Sequence, residues 1–127
     1  MLICPLIRIS GLKFYGSPWQ PEFCDWAFNL PYGGPLKEKW ERIPDDTGER
    51  ENVAAEARTS YVTTPRVHCV NELVYTDVLI THGPPHLFGD WTEFGGRVGC
   101  PELANEIKTR IRPKVHVFGH IHEVGGA

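Results

Sequence analysis

The chain has 127 residues, among them 13 glycines and 11 prolines, and a formal net charge of −3. The length suits one domain, and a hydrophobic share of 41% with 4 Trp, 4 Tyr and 6 Phe excludes wholesale disorder. The abundance of glycine and proline excludes a coiled coil or helical bundle, and a pI near 6.0 points away from nucleic acid and anionic membranes.

Residues 2–9 are rich in Leu and Ile and read as a strand, not a signal peptide, because no basic stretch precedes them. Residues 12–15 read as a second strand, and Gly11 between the two suggests a hairpin. Residues 18–34 are aromatic and turn-rich and read as an ordered loop with a short helical turn. Residues 35–43 read as a helix, with Pro35 in its first turn and Leu36, Trp40 and Ile43 recurring on one face. Residues 48–76 hold neither Trp nor Phe and offer no catalytic grouping.

Residues 77–81 form a short apolar strand of the fully buried type, stopped by His82 and Gly83. A Gly-rich loop follows over 86–99. Residues 100–112 read as a helix, with Pro101 at the start, Leu103, Ile107 and Ile111 on one face and Pro113 as the stop. Its cations Lys108, Arg110 and Arg112, with Lys114, sit where a helix dipole favours them. Residues 115–118 form a last strand, ended by Gly119 and His120. Strand, helix and strand predict a β-α-β unit with parallel strands in an α/β protein.

Cys4, Cys24, Cys69 and Cys100 lack metal-ligand spacing. That predicts free thiols in a reducing compartment and ranks a structural zinc module low. No apolar run reaches the roughly 18 residues of a membrane span. A cytoplasmic protein without a membrane anchor is the expectation.

Histidine placement carries the chemistry. His82 follows one buried strand, and His120 and His122 follow the next. Loops at the carboxyl ends of parallel strands form the ligand crevice, so three imidazoles are delivered to one sheet edge. Neutral imidazole is a common ligand of first-row metals. Side chains alternate in an extended His-x-His, so the pair can flank two ions or bend to serve one. A lone histidine at a strand end is more often a hydrogen-bonded structural residue; the joint placement points to metal. His116, inside the last strand, and His86, expected to face solvent in the loop, are assigned no role.

Thr81-His82-Gly83-Pro84-Pro85 and Gly119-His120-Ile121-His122-Glu123 resemble the last two motifs of the calcineurin-like metallophosphoesterases. Phe14-Tyr15-Gly16-Ser17-Pro18-Trp19, Trp26-Ala27-Phe28-Asn29-Leu30-Pro31 and Arg112-Pro113-Lys114-Val115-His116-Val117-Phe118 narrow this further. They resemble the metallophosphoesterase domain-containing subfamily, similar to class III cyclic nucleotide phosphodiesterases. The resemblance implies the C-terminal portion of a β-sandwich flanked by helices. It also implies a divalent metal pair (Mn, Fe, Zn or Mg) and two-metal hydrolysis of a small-molecule phosphodiester or phosphomonoester, cyclic nucleotides included. By this resemblance His82 and His120 would bind one metal and His122 the other. Gly16, Ser17 and Trp19 would lie at the rim of the substrate pocket.

The family's earlier motifs are missing. Neither Asp-x-His nor Asn-His occurs, and Gly89-Asp90-Trp91-Thr92-Glu93 imitates Gly-Asp-x-x-Asp after His82, in the wrong order. The bridging Asp, the Asn ligand and the acid His are therefore absent. Residues 1–127 read as a partial phosphoesterase domain with no catalytic residue of its own, inactive alone and holding at most one weakly bound ion. The alternative is a truncated or degenerate member that binds a metal weakly or a protein partner. Residues 48–76 read as an insertion, either a surface loop or a retained non-coding stretch. Half a sandwich would expose strand edges, which predicts self-association.

Overall fold

The computed structural model describes residues 6–45, 68–69 and 75–124. Leu6–Ile9 (β1) and Leu12–Ser17 (β2) pair as the expected antiparallel hairpin, with Leu6 opposite Tyr15 and Ile9 opposite Leu12. Ser10 and Gly11 between them have φ of 50° and 84°. A two-residue hairpin turn of the right twist demands such values. Residues 2–5 of the expected first strand lie outside the described residues.

Over 18–34 the expected helical turn is not found. Gln20–Pro21 (β3) and Asn29–Leu30 (β4) instead form a small parallel pair. Side-chain amides hold it. Gln20 donates to Ala27 O at 3.4 Å and to Asn29 Oδ1 at 3.0 Å. Asn29 donates to the carbonyls of Phe23 and Cys24 at 3.0 and 2.8 Å. These bonds occupy carbonyls that a helical turn would use, and Cys24 and Phe28 adopt φ of 50° and 61° to reach them.

Gly34–Glu41 (α1) begins with Pro35 and buries Leu36 and Trp40, followed by buried Ile43. His68–Cys69 (β5) pairs antiparallel with β1. Apart from these two residues and 75–76, the interval 48–76 lies outside the described residues. Val78–Thr81 (β6) runs parallel to β2, with Thr81 beside Ser17. Pro101–Glu106 (α2) continues into a π turn, Ile107–Ile111. The expected uninterrupted α-helix is thus widened in its last turn, and it ends at Arg112 in the left-handed region (φ 45°, ψ 53°). Val115–Val117 (β7) then pairs in parallel with β6, which completes the predicted β-α-β unit.

The five-stranded sheet has the order β5-β1-β2-β6-β7. Leu6, Tyr15 and Leu79 from its inner face join Leu36, Trp40, Ile43, Leu103 and Ile111 from the helical layer in one core. The result is an α/β arrangement with helices on one face. The other face carries Leu12, Ile80, Val115 and Val117, each between 42% and 51% exposed. No described helix is long and apolar enough to cross a membrane.

Candidate metal centre

β2, β6 and β7 are parallel to one another, so their carboxyl ends share an edge. At that edge the N–H of His82 donates to Ser17 O at 3.3 Å, and its carbonyl accepts from Gly119 N–H at 3.0 Å. The peptides around His82 therefore link the end of β2 to the loop after β7. His120 follows with φ of 76°, a left-handed conformation that a non-glycine residue rarely adopts. His82 Nε2 and His120 Nδ1 stand 3.0 Å apart and share a hydrogen bond, with ring centroids 4.7 Å apart.

Burial first, then the neighbouring His82 and His122, lowers the pKa of His120, against the pull of Glu123. A neutral ring is the ligating form. His122 opens a short 3-10 turn, His122–Val124, and is exposed. With Glu123 it lines the same cavity of about 810 Å³ as His82 and His120. Aromatic side chains wall that cavity. The Trp26 ring meets the His120 ring edge-on at 5.6 Å, the Phe23 ring at 6.0 Å, and Tyr32 lines the cavity with them.

Gly16 and Ser17 line a neighbouring hollow of about 690 Å³ together with His82 and Trp26. Trp19 lines neither hollow. It packs on Phe28 at 5.7 Å and lies under the Lys39 ammonium at 4.5 Å. Trp26, to which the motifs assign no role, borders both. The aromatic density of 18–34 was the available signal, but the direction of each ring depends on the Gln20 and Asn29 bonds.

The loop look-alike of a metal motif has another use. Asp90 is buried and accepts from Leu87 N–H at 3.0 Å and from Arg97 Nη1 at 2.7 Å. Burial alone would raise its pKa, but these bonds, with one from the Gly99 backbone, hold it below the usual carboxylate value. His86, expected to face solvent, keeps 37% of its side chain exposed and also stands with Nδ1 3.2 Å from Asp90 Oδ2.

At metal–nitrogen distances of about 2.0–2.1 Å, two ligands on one ion stand roughly 2.9–3.4 Å apart. The 3.0 Å between His82 and His120 falls within that window, so the spacing admits one divalent cation as well as the hydrogen bond the two rings share. Among the described residues, no three His, Cys, Asp or Glu side chains converge to hold a metal.

Fold and site together define an α/β protein with an imidazole pair at the carboxyl edge of its parallel strands. No family model matches the sequence. Metallophosphoesterase domain-containing protein 1 of Homo sapiens is 42% identical over 118 residues, covering 92% of this chain and 27% of the human protein. The Mus musculus protein of that name matches with the same figures. A UPF0046 protein of Caenorhabditis elegans is 40% identical over 118 residues, covering 93% of this chain and 22% of that protein. The chain belongs to the metallophosphoesterase domain-containing family, and it spans about a quarter of the length of these relatives.

Proposed function

We propose that this chain forms part of the metal- and substrate-binding end of a metal-dependent phosphoesterase. The observation that carries the reading is the His82–His120 pair, 3.0 Å apart on the wall of a cavity of about 810 Å³. In this reading His82 and His120 hold one divalent ion, manganese being the first to try, and His122 reaches a second in the complete protein. A divalent ion bound there supplies Lewis acidity to a phosphoryl oxygen. The chain's own residues do the rest: the imidazoles fix position, and Phe23, Trp26 and Tyr32 offer flat apolar surfaces to the organic part of the ester. Gly16 and Ser17 border the adjoining hollow, where a narrow backbone leaves room for substrate, and Trp19 stiffens that rim through Phe28. A phosphoester with an aromatic group, such as a cyclic nucleotide, suits these walls.

The apolar sheet face formed by Leu12, Ile80, Val115 and Val117 supports a second layer of a β-sandwich, contributed in the longer protein. In the 127-residue chain alone that face favours self-association. Residues 48–76 are an insertion in this reading, and the location is cytoplasmic.

The test is hydrolysis of bis-p-nitrophenyl phosphate and of cyclic nucleotides with added manganese, by a longer protein carrying this segment and by the 127-residue chain. Turnover by the longer protein that His120→Ala removes, with none from the chain alone, is the expected result. Undiminished turnover in His120→Ala overturns the reading.

A further inference from the structure

His116 has no part in the reading above, yet it sits where the candidate centre meets the core. It is opposite Leu79 in the β6–β7 register, on the face that carries Thr81. Its Nε2 is 2.8 Å from Thr81 Oγ1. That hydroxyl is itself buried and donates its single proton to Gly83 O at 2.8 Å. A carbonyl can only accept, so Nε2 of His116 must carry hydrogen and donate to Oγ1. Burial also pushes the His116 pKa down to about 4, which keeps the ring neutral near pH 7. The chain of bonds thus runs from a half-buried ring, through Thr81, to the carbonyl of Gly83, one residue beyond His82. The backbone of His82 is already tied to Ser17 O and to Gly119 N–H; the Thr81 bond adds a restraint on the far side of His82, at Gly83, where no side chain limits the backbone.

We propose that His116 is a positioning residue: through the Thr81 hydroxyl it locks the Thr81-His82-Gly83 turn and keeps His82 Nε2 within reach of His120 Nδ1. The purpose of the lock rests on the metal reading, while the lock itself belongs to the metal-free protein.

Long-range ¹H–¹⁵N imidazole spectra of the full labelled chain test it directly. His116 should show the Nε2–H tautomer. The ¹⁵N signature of the His82–His120 hydrogen bond should vanish in Thr81→Val and His116→Leu and persist in Thr81→Ser. Cobalt(II) titration should show roughly tenfold weaker binding in Thr81→Val and near-complete recovery in Thr81→Ser, in line with losses for partners that orient ligands. An Nδ1–H tautomer at His116, or unchanged His82 and His120 signals in folded Thr81→Val, overturns the proposal. If His116→Leu fails to fold, the wild-type tautomer and the near-isosteric Thr81→Val decide. The expected imidazole pattern without cobalt uptake by the wild type sinks the metal reading and leaves the lock standing.

Discussion

Arg110 caps a helix to which it does not belong: its Nη2 donates to the carbonyl of Trp40 at 2.7 Å. Its Nη1 donates to Ile43 O at 2.6 Å, and its Nε pairs with Glu106 at 2.6 Å. The last carbonyls of a helix have no partner within it, and here they lie against the core. Arg110 lies within the π turn, whose wider last turn brings the guanidinium across to α1 while Ile111 stays buried. Arg110→Ala should cost about 2–4 kcal/mol, since charged hydrogen bonds are lost and Glu106 is stranded. Arg110→Lys should recover less than half, because an ammonium cannot fork between two carbonyls. Urea unfolding followed by tryptophan fluorescence measures both; a loss below about 1 kcal/mol in the alanine variant refutes the capping account.

The two thiols with described surroundings should differ sharply in reactivity. Cys100 is buried at the start of α2, where Sγ accepts from Trp40 Nε1–H at 3.3 Å and Leu103 N–H at 3.4 Å. Burial is the main cause that pushes its pKa to about 11, so at pH 8 roughly one thiol in 1,000 is thiolate, the reactive form. Cys24 is exposed. Iodoacetamide at pH 8 should label Cys24 within minutes and Cys100 only at the rate of unfolding, as read by peptide mass spectrometry. Fast labelling of Cys100 in the native protein contradicts this.

Much of the scaffold was legible because its signals are local. The Leu- and Ile-rich run and the Gly11 break of the β1–β2 hairpin, the Leu36–Trp40–Ile43 face of α1 and the strand-helix-strand order all follow from neighbouring residues. The convergence of His82 and His120 followed from parallel topology alone. What stayed hidden depends on bonds between distant residues. The π turn holds Arg110, whose guanidinium bonds carbonyls 67 and 70 positions earlier. The small β3–β4 pair answers to the Gln20 and Asn29 amides. The left-handed backbone of His120 has no glycine to announce it. His116 read as an ordinary strand residue because its partner, Thr81, is 35 positions away.

Loop 86–99 should loosen in acid. The carboxyl of Asp90 titrates below its ordinary value because Leu87 N–H and Arg97 outweigh the cost of burial. A depressed folded pKa contributes stability above the unfolded pKa of about 3.9 and loses it as pH falls through the folded value. The hydrogen-exchange protection factors of Leu87, whose amide bonds the Asp90 carboxylate, and of Val98, whose amide bonds the Asp90 main-chain carbonyl, should therefore fall below about pH 4. Asp90→Asn should exchange faster at pH 7 and show a flatter pH response. An acid response equally steep in both proteins means another carboxyl controls the loop.

The last prediction separates a two-imidazole site from a three-imidazole one. His82 and His120 stand 3.0 Å apart, within the spacing that two ligands of one ion adopt. His122 lines the same cavity from the 3-10 turn, yet among the described residues it does not close a group of three donors. One ion on this chain should therefore depend on the pair. Losing even an outer partner of a ligand costs about 10–100-fold in affinity, and losing a ligand costs at least as much. Zinc titration against a competing chelator should show a loss of about 100-fold or more in His82→Ala and in His120→Ala. His122→Ala should change affinity by less than about threefold. Equal losses in all three variants would mean that His122 swings onto the same ion. Circular dichroism would not resolve so small a change, but the backbone amide shifts of Ile121 and Glu123 on zinc addition would.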